Sequence, residues 1–410
     1  MESTIKSKRT AFIGAVLLAS GTCIGAGMLA LPILTGLAGF WPACFIYLLS
    51  WGVMTYASFL LLEVNLTMKE EGANLISMAR KTLSKPGEII AFVTYVFLFY
   101  GVSIAYLSGS GSIINDLLHS IFHIDFPRWV GITTSLLLFG PSIYFGTRVV
   151  SNLNLILVFG IAVSYFFLII FGSSLVQSSH FNHVNWSYAW MGIPVIVTSF
   201  TFQNIIPSLT TYLKRDVNLL KRVMILGGFV PLCIYILWQW FVLGVVPTTG
   251  SFSFTEMIHQ GQPISHALKN ILNSPSVITF SQIFAFCAII TSFLGVILSL
   301  FDFMADGFKI KKTGSGKLLL CGIIFIPPLV FSILFPRAFL TALNYAGSFG
   351  CVTLFIILPA LMVWKTRYTL KQKGPFRARG GKPALIGMLI LGFAIFVVQF
   401  GLTFGVLKSC

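Results

Sequence analysis

Two short runs combine residues that interrupt a helix with residues that could bind a ligand at the interruption. The first is Gly21-Thr22-Cys23-Ile24-Gly25-Ala26-Gly27, followed by Pro32. The second is Ser199-Phe200-Thr201-Phe202-Gln203-Asn204, followed by Pro207. Both sit inside long apolar stretches. Glycine costs a helix ~1 kcal/mol relative to alanine, and backbone groups left unpaired in hydrocarbon cost more still. A break at that depth persists only where it lines a cavity or is buried in protein. The second half of a broken helix begins with free N–H groups and a partial positive charge, which suit an anion. The carbonyls that end the first half suit an ammonium group or Na⁺. A zwitterionic amino acid satisfies both ends without any charged side chain. The competing explanation is close helix packing, which small residues also permit; the pairing of two such runs favours a binding site.

The candidate ligand contacts are therefore Thr22, Cys23, Gly25, Ala26 and Gly27 from the first run, and Ser199, Phe200, Phe202, Gln203 and Asn204 from the second. Phe200 and Phe202 offer aromatic faces, and the Gln203 and Asn204 amides could bond a phenol or an indole N–H. Tyr106 precedes Ser108-Gly109-Ser110-Gly111-Ser112. Its hydroxyl could cap a carboxylate or bond a carbonyl one turn away. Acidic groups inside apolar spans are functional suspects: Glu63, Asp116 and Asp302, with Asp306 one turn further on. Glu63 is the proton-relay candidate, because a partly desolvated carboxyl exchanges protons near neutral pH. Thr291 and Ser292 form an adjacent hydroxyl pair that could hold Na⁺ with first-span carbonyls. Asp302 is a further ion-coupling candidate, and interfacial pairing with loop Lys or Arg is the plainer reading of Asp306.

The elements that position these residues can be read from composition. Of 410 residues, 56% are hydrophobic and 9% charged, and Phe occurs 40 times. A soluble domain carries about 25% charged residues, so a water-facing globule is excluded. A transmembrane barrel would show alternating segments of ~10 residues, whereas here the apolar runs are long and continuous. With ~20 residues per crossing, eleven spans are expected: 11–34, 41–66, 89–118, 129–146, 150–172, 190–210, 222–246, 277–303, 317–335, 339–364 and 383–407. Residues 73–85 read as an amphipathic interfacial helix, and the 173–189 and 247–276 loops have room for short surface helices.

Alternate loops separate the basic residues. All 27 Lys and Arg except Arg128, Lys269, Arg337 and Lys408 fall on one side, which by the positive-inside rule is cytoplasmic. The N-terminus is then inside and the C-terminus outside. The net charge of +16 thus reflects topology and gives no patch for nucleic acid. The segment before Leu34 lacks a cleavage box and reads as a retained first helix. The seven cysteines lie within spans or at the last residue, so they form no disulfide or metal framework.

The two interrupted spans are the first and the sixth. Two units of five helices are implied, 11–173 and 190–364; because five is odd, the second is inverted, and interrupted helices at matching places mark a carrier site. The remaining segments are the N-terminus 1–10, an outer loop 174–189, a basic cytoplasmic loop 365–382, and an added helix with an outer C-terminus, 383–410.

Gly21 to Pro32 resembles the G-T-x-I-G-A-G-M-L-A-x-P signature of the bacterial aromatic amino acid permeases. Leu61-Leu62-Glu63-Val64, Tyr106-Leu107-Ser108-Gly109-Ser110-Gly111, Pro194 to Phe200 with Ile206-Pro207-Ser208, Thr291 to Val296 with Phe301 to Asp306, and Gly380 to Ala384 resemble its other characteristic stretches. The likeness covers essentially the whole chain and is greatest to the tyrosine-specific members. Thr201 and Gln203 stand where that family commonly has Gly and His. The resemblance implies an all-α, eleven-helix inner-membrane symporter with a LeuT-type five-plus-five inverted repeat. It would import tyrosine or tryptophan, usually with a proton. The alternative is a sodium-coupled symporter of another neutral amino acid; neither reading calls for a cofactor, metal or obligatory protein partner.

Other classes fit less well. A channel needs a continuous polar stripe or charged ring, which the spans lack. An intramembrane enzyme needs clustered His, Asp or Glu, and no histidine lies within a span core to activate a serine. No GxxxxGK[ST] phosphate loop occurs.

Overall fold

The computed structural model describes every residue except 1, 69–72, 249, 251–252, 261–263, 272–273, 336 and 407–410, and omits the side chains of 2–7, 266, 269 and 270. The expected outer end, with Lys408 and Cys410, lies outside the described residues. Within them the chain is helical and contains no strand.

The first span is two helices, α1 (Glu2–Cys23) and α2 (Ala26–Thr35), bent by 53° at the glycine run. After it come α3 (Phe40–Thr67), α4 (Leu75–Phe122), α5 (Arg128–Phe145) and α6 (Thr147–Gly172). The second interrupted span is α7 (Ile193–Ser199) and α8 (Ile206–Tyr212), separated by three residues, 200–202, and a short 3₁₀ turn, Gln203–Ile205. Beyond it lie α9 (Val217–Val245), two short helices α10 (Phe254–Gln260) and α11 (Ile264–Ile271), α12 (Pro275–Phe308) and α13 (Gly314–Leu334). The tenth span runs through α14 (Ala338–Tyr345), wide π turns at Ala346–Cys351 and Thr353–Ile357, and α15 (Leu358–Trp364). The last helix is α16 (Gly381–Thr403).

Among the described residues nine helices are long and apolar enough to cross a bilayer, or ten with the bent α1–α2 pair. Eleven were expected. The difference is α5, which reaches 18 residues but carries Arg128, Thr133, Thr134, Ser135 and Pro141 and so falls short in apolarity.

Local chemistry sets several boundaries. The Asn74 side chain caps α4 by accepting from Ser77 N–H. At Ser84 the backbone turns left-handed (φ 64°) two residues before Pro86, which separates the expected interfacial segment from the span. Gly146 adopts φ 107° between α5 and α6, a conformation that glycine reaches without the Cβ penalty, so the chain reverses within one residue.

One face of the bundle carries the basic loops. On the opposite face α10 and α11 pack inward, burying Phe254, Met257, Ile264 and Leu268; a Cβ on Gly36 would lie 2.5 Å from the Phe254 ring. Beneath them Trp238, Phe284 and Tyr165 form an aromatic cluster with centroid separations of 5.2–6.4 Å. Trp238 donates its indole N–H to Met28 O at 3.0 Å.

Candidate binding site between the broken helices

The two breaks face one another. A Cβ on Gly27 would stand 2.8 Å from Ser199 Oγ, and one on Gly25 would stand 2.2 Å from Ser292 Oγ. The glycines therefore allow α2 to approach both α7 and α12. The first free N–H of α2, on Ala26, donates to Ser292 Oγ at 3.0 Å. Tyr235 of α9 supplies the complementary contact: its hydroxyl lies 2.6 Å from Cys23 O and 2.8 Å from Ser199 O. One phenolic proton is thus shared by the carbonyls that end α1 and α7. These were expected to receive an ammonium group or Na⁺; in this conformation a neutral donor holds them. One turn further along α9, Gln239 bonds Thr35 and Tyr47 at 2.8 and 2.6 Å. Tyr235, Trp238 and Gln239, at i, i+3 and i+4, share one face of α9 and staple both sides of the break.

A cavity of about 120 Å³ opens beside this junction. Its walls are Thr22 from α1, Tyr95, Leu98, Phe99, Val102 and Tyr106 from α4, Thr198, Thr201 and Asn204 around the α7–α8 break, Val296 from α12, and Cys351 and Phe355 from the π turns. None of these is charged. Thr22, Thr198 and Thr201 return their hydroxyls to carbonyls four residues back. The Tyr95 and Tyr106 hydroxyls and the Asn204 amide make no hydrogen bond among the described residues and are polar groups left for a ligand. A π turn inserts an extra residue per turn and is frequent at functional sites; here it turns Cys351 and Phe355 toward the cavity while Gly347 packs under Pro194 O. From the breaks the cavity extends toward the basic face, where Thr22 and Asn204 are exposed.

Of the sequence candidates, Thr22, Tyr106 and Asn204 line the cavity. Cys23, Gly25, Ala26, Gly27, Ser199, Phe200 and Phe202 stand behind its wall, and Phe200 packs edge-on against Tyr235 at 5.1 Å. Gln203, expected at a ring end, is fully buried. Its amide donates to Met54 O and accepts from Phe202 N–H, each at 3.0 Å, so it braces the 200–205 turn against α3. Sequence reasoning missed Tyr235, whose signal was a lone tyrosine among apolar neighbours. It also missed Tyr95, Thr198, Thr201 and the tenth span, which carry no breaking motif beyond Gly347 and Gly350. The Ser108–Ser112 run is packing: an added Cβ on Gly131 would sit 2.2 Å from Gly111 O, and Ser110 bonds Ser135 at 2.7 Å.

The ionisable candidates lie elsewhere. Glu63, expected to be a relay freed by desolvation, is buried but fully engaged. Arg367 Nε donates to Oε1 at 2.6 Å, Arg367 Nη2 pairs with Oε2, and Ala378 N–H donates to Oε2 at 2.7 Å. Asp302, expected as a coupling group, is half exposed and pairs with Lys312 at 2.8 Å. That hydrogen bond holds the Lys312 ammonium pKa above the usual lysine value. The physical reason is depth: Asp302 sits where α12 leaves the apolar layer and a loop lysine reaches it. Thr291 bonds Asn154 of α6, and Ser292 is the Ala26 acceptor. Among the described residues no group of His, Cys, Asp and Glu is arranged for a metal ion.

A multi-pass helical bundle with a neutral cavity between two broken helices defines a membrane permease. The sequence profile of the tryptophan/tyrosine permease family matches residues 8–399, and the chain belongs to that family. It is 31% identical to "Tyrosine-specific transport system 2" of Haemophilus influenzae, over 96% of this chain and 97% of that one. It is 32% identical to "Low affinity tryptophan permease" of Escherichia coli O157:H7, over the whole of both chains, and 30% identical to "Tryptophan-specific transport protein" of Pseudomonas aeruginosa, over 95% of this chain and 94% of that one. The family and these relatives are transport permeases, not enzymes.

Proposed function

We propose that the chain imports an aromatic amino acid, tyrosine in the first instance, across the bacterial inner membrane together with a proton. The observation that carries the reading is the uncharged cavity beside two broken helices, walled by Tyr95, Phe99, Tyr106 and Phe355. Aromatic walls favour an aromatic side chain, while Tyr106 and Asn204 remain to bond its polar groups. At about 120 Å³ the space is below the ~300–1,000 Å³ of typical ligand sites, so a ring enters as the basic-face half opens. Family membership supports the substrate class. The positive-inside rule supports a cytoplasmic basic face, and the cavity then opens inward. Facing breaks in the first and sixth spans support an eleven-helix LeuT-type inverted repeat, with α5 as the weakly apolar fourth crossing.

Glu63 is the one buried carboxylate among the described residues. For it to carry the proton, its pair with Arg367 has to open during the cycle. The test is uptake of labelled tyrosine into proteoliposomes under separate proton and sodium gradients, with tryptophan, phenylalanine and leucine as competitors. Accumulation driven by an inward proton gradient and blocked by aromatic amino acids is expected. Accumulation that follows sodium alone, or competition by leucine equal to that by tyrosine, overturns the reading. Glu63→Gln, at wild-type abundance, should keep tyrosine exchange and lose accumulation; retained accumulation removes Glu63 from coupling.

A further inference from the structure

At the basic face, where α3 ends and the chain leaves α15, a second recess of about 350 Å³ is lined by Glu63, Thr67, Arg367, Lys371, Lys373 and Arg377, with Gln372, Gly374 and Phe376 completing it. Its volume falls within the ~300–1,000 Å³ of ligand sites. The charge balance within it is unusual: four cations face one carboxylate, and that carboxylate is spent. Both Glu63 oxygens are taken by Arg367 Nε, Arg367 Nη2 and Ala378 N–H. Among the described residues Lys371, Lys373 and Arg377 form no ion pair. Arg367 is 3% exposed, and its remaining nitrogen, Nη1, is buried without a hydrogen-bond partner. A buried donor on a charged group is costly to leave unpaired, and three like charges around one recess repel one another unless an anion joins them.

The backbone builds this arrangement. Leu370 N–H returns to Lys365 O at 2.8 Å and Gln372 N–H to Thr366 O at 3.0 Å. The chain thus wraps over the end of the tenth span, and Lys371 adopts a left-handed backbone (φ 51°). Phe376 then packs on Phe59 of α3 at 6.0 Å, which closes the recess on its apolar side. A purely solvated basic loop would spread its charges apart; this one gathers them around a walled space at the end of two membrane helices.

We propose that this recess binds a phosphate group, with Lys371, Lys373 and Arg377 as the enclosing cations over the buried Arg367 guanidinium. A tetrahedral anion with several acceptor oxygens matches a divergent set of N–H donors, and guanidinium groups bind such oxygens strongly. The same phosphate chemistry is offered by the headgroup of an anionic phospholipid and by inorganic phosphate in solution. The site is separate from the cavity between the broken helices, although Glu63 and Arg367 at its base are the pair given a coupling role above.

The test uses the full-length protein in detergent and reads the thermal unfolding midpoint against added probe. The probes are inorganic phosphate, phosphatidylglycerol, phosphatidylcholine as the zwitterionic control, and chloride at matched ionic strength. A saturable rise in midpoint is expected with phosphatidylglycerol and not with phosphatidylcholine or chloride. In Lys371→Gln/Lys373→Gln/Arg377→Gln, the concentration needed should rise at least ~10-fold, since each charge-assisted contact contributes about that factor or more. These three side chains are exposed, and Lys373→Glu alone should weaken binding further than Lys373→Gln if the triple variant does not accumulate. A matching response to inorganic phosphate assigns the site to the phosphate group alone; a response to phosphatidylglycerol only assigns it to the lipid. A response to neither, one equalled by chloride or phosphatidylcholine, or one unchanged in the variants overturns the proposal.

Discussion

Replacing Tyr235 with Phe removes one oxygen and leaves the ring where it packs, edge-on to Phe200 at 5.1 Å and to Tyr47 at 6.5 Å. What is lost is the proton shared between Cys23 O and Ser199 O. Both carbonyls end half-helices and have no intrahelical partner; both are shielded, since Tyr235 is fully buried. An unsatisfied buried acceptor costs about 1–3 kcal/mol. Two acceptors that shared one proton each held a weaker bond, so the expected total is ~2–4 kcal/mol, the lower part of twice that range. The assay is reversible denaturation in mixed micelles, monitored by tryptophan fluorescence, with tyrosine uptake measured at matched membrane abundance. We expect a loss of that size and a fall in uptake, because α1 and α7 are no longer tied to α9. A variant within ~0.5 kcal/mol of wild type, the scatter of surface substitutions, would mean the carbonyls have other partners and would refute the argument.

Gly25→Ala should abolish uptake without preventing insertion, because its Cβ meets Ser292 Oγ at 2.2 Å; Gly25→Ala/Ser292→Gly should recover part of the uptake, and no recovery would put the defect elsewhere. Tyr106→Phe and Asn204→Leu should each raise KM for tyrosine about threefold to tenfold, the worth of one hydrogen bond, at unchanged abundance; an unchanged KM in both removes them from recognition. Glu63→Leu should destabilise by ~3–5 kcal/mol, the effect of breaking a buried ion pair from one side, whereas Glu63→Leu/Arg367→Leu should lose much less; equal losses in denaturation would show that the pair is not acting as a unit. Asp302→Asn, by contrast, removes an exposed pair and should cost under ~1 kcal/mol.

Composition and local backbone chemistry were legible along the chain. Too few charges to coat a globule forced it into a bilayer, and the sidedness of Lys and Arg set the expected topology. The glycines at 21, 25 and 27 and the prolines at 32 and 207 marked where two helices break, because helix interruption is a property of a few consecutive residues. Which of those residues meet a ligand depended on packing between helices. Gly25 and Gly27 serve close approach to Ser292 and Ser199, and the cavity wall comes from Tyr95, Tyr106, Thr198, Thr201, Cys351 and Phe355, brought together from three separate spans. Packing also gave Glu63 and Gln203 partners of their own. A buried acid and a buried amide read alike in sequence whether they await a proton or a substrate or are already satisfied. Only the arrival of Arg367, about three hundred residues away, and of Met54 O distinguishes the two. Hydrogen-bond partners that are distant in sequence leave no local pattern, so the breaks were legible and their occupants were not.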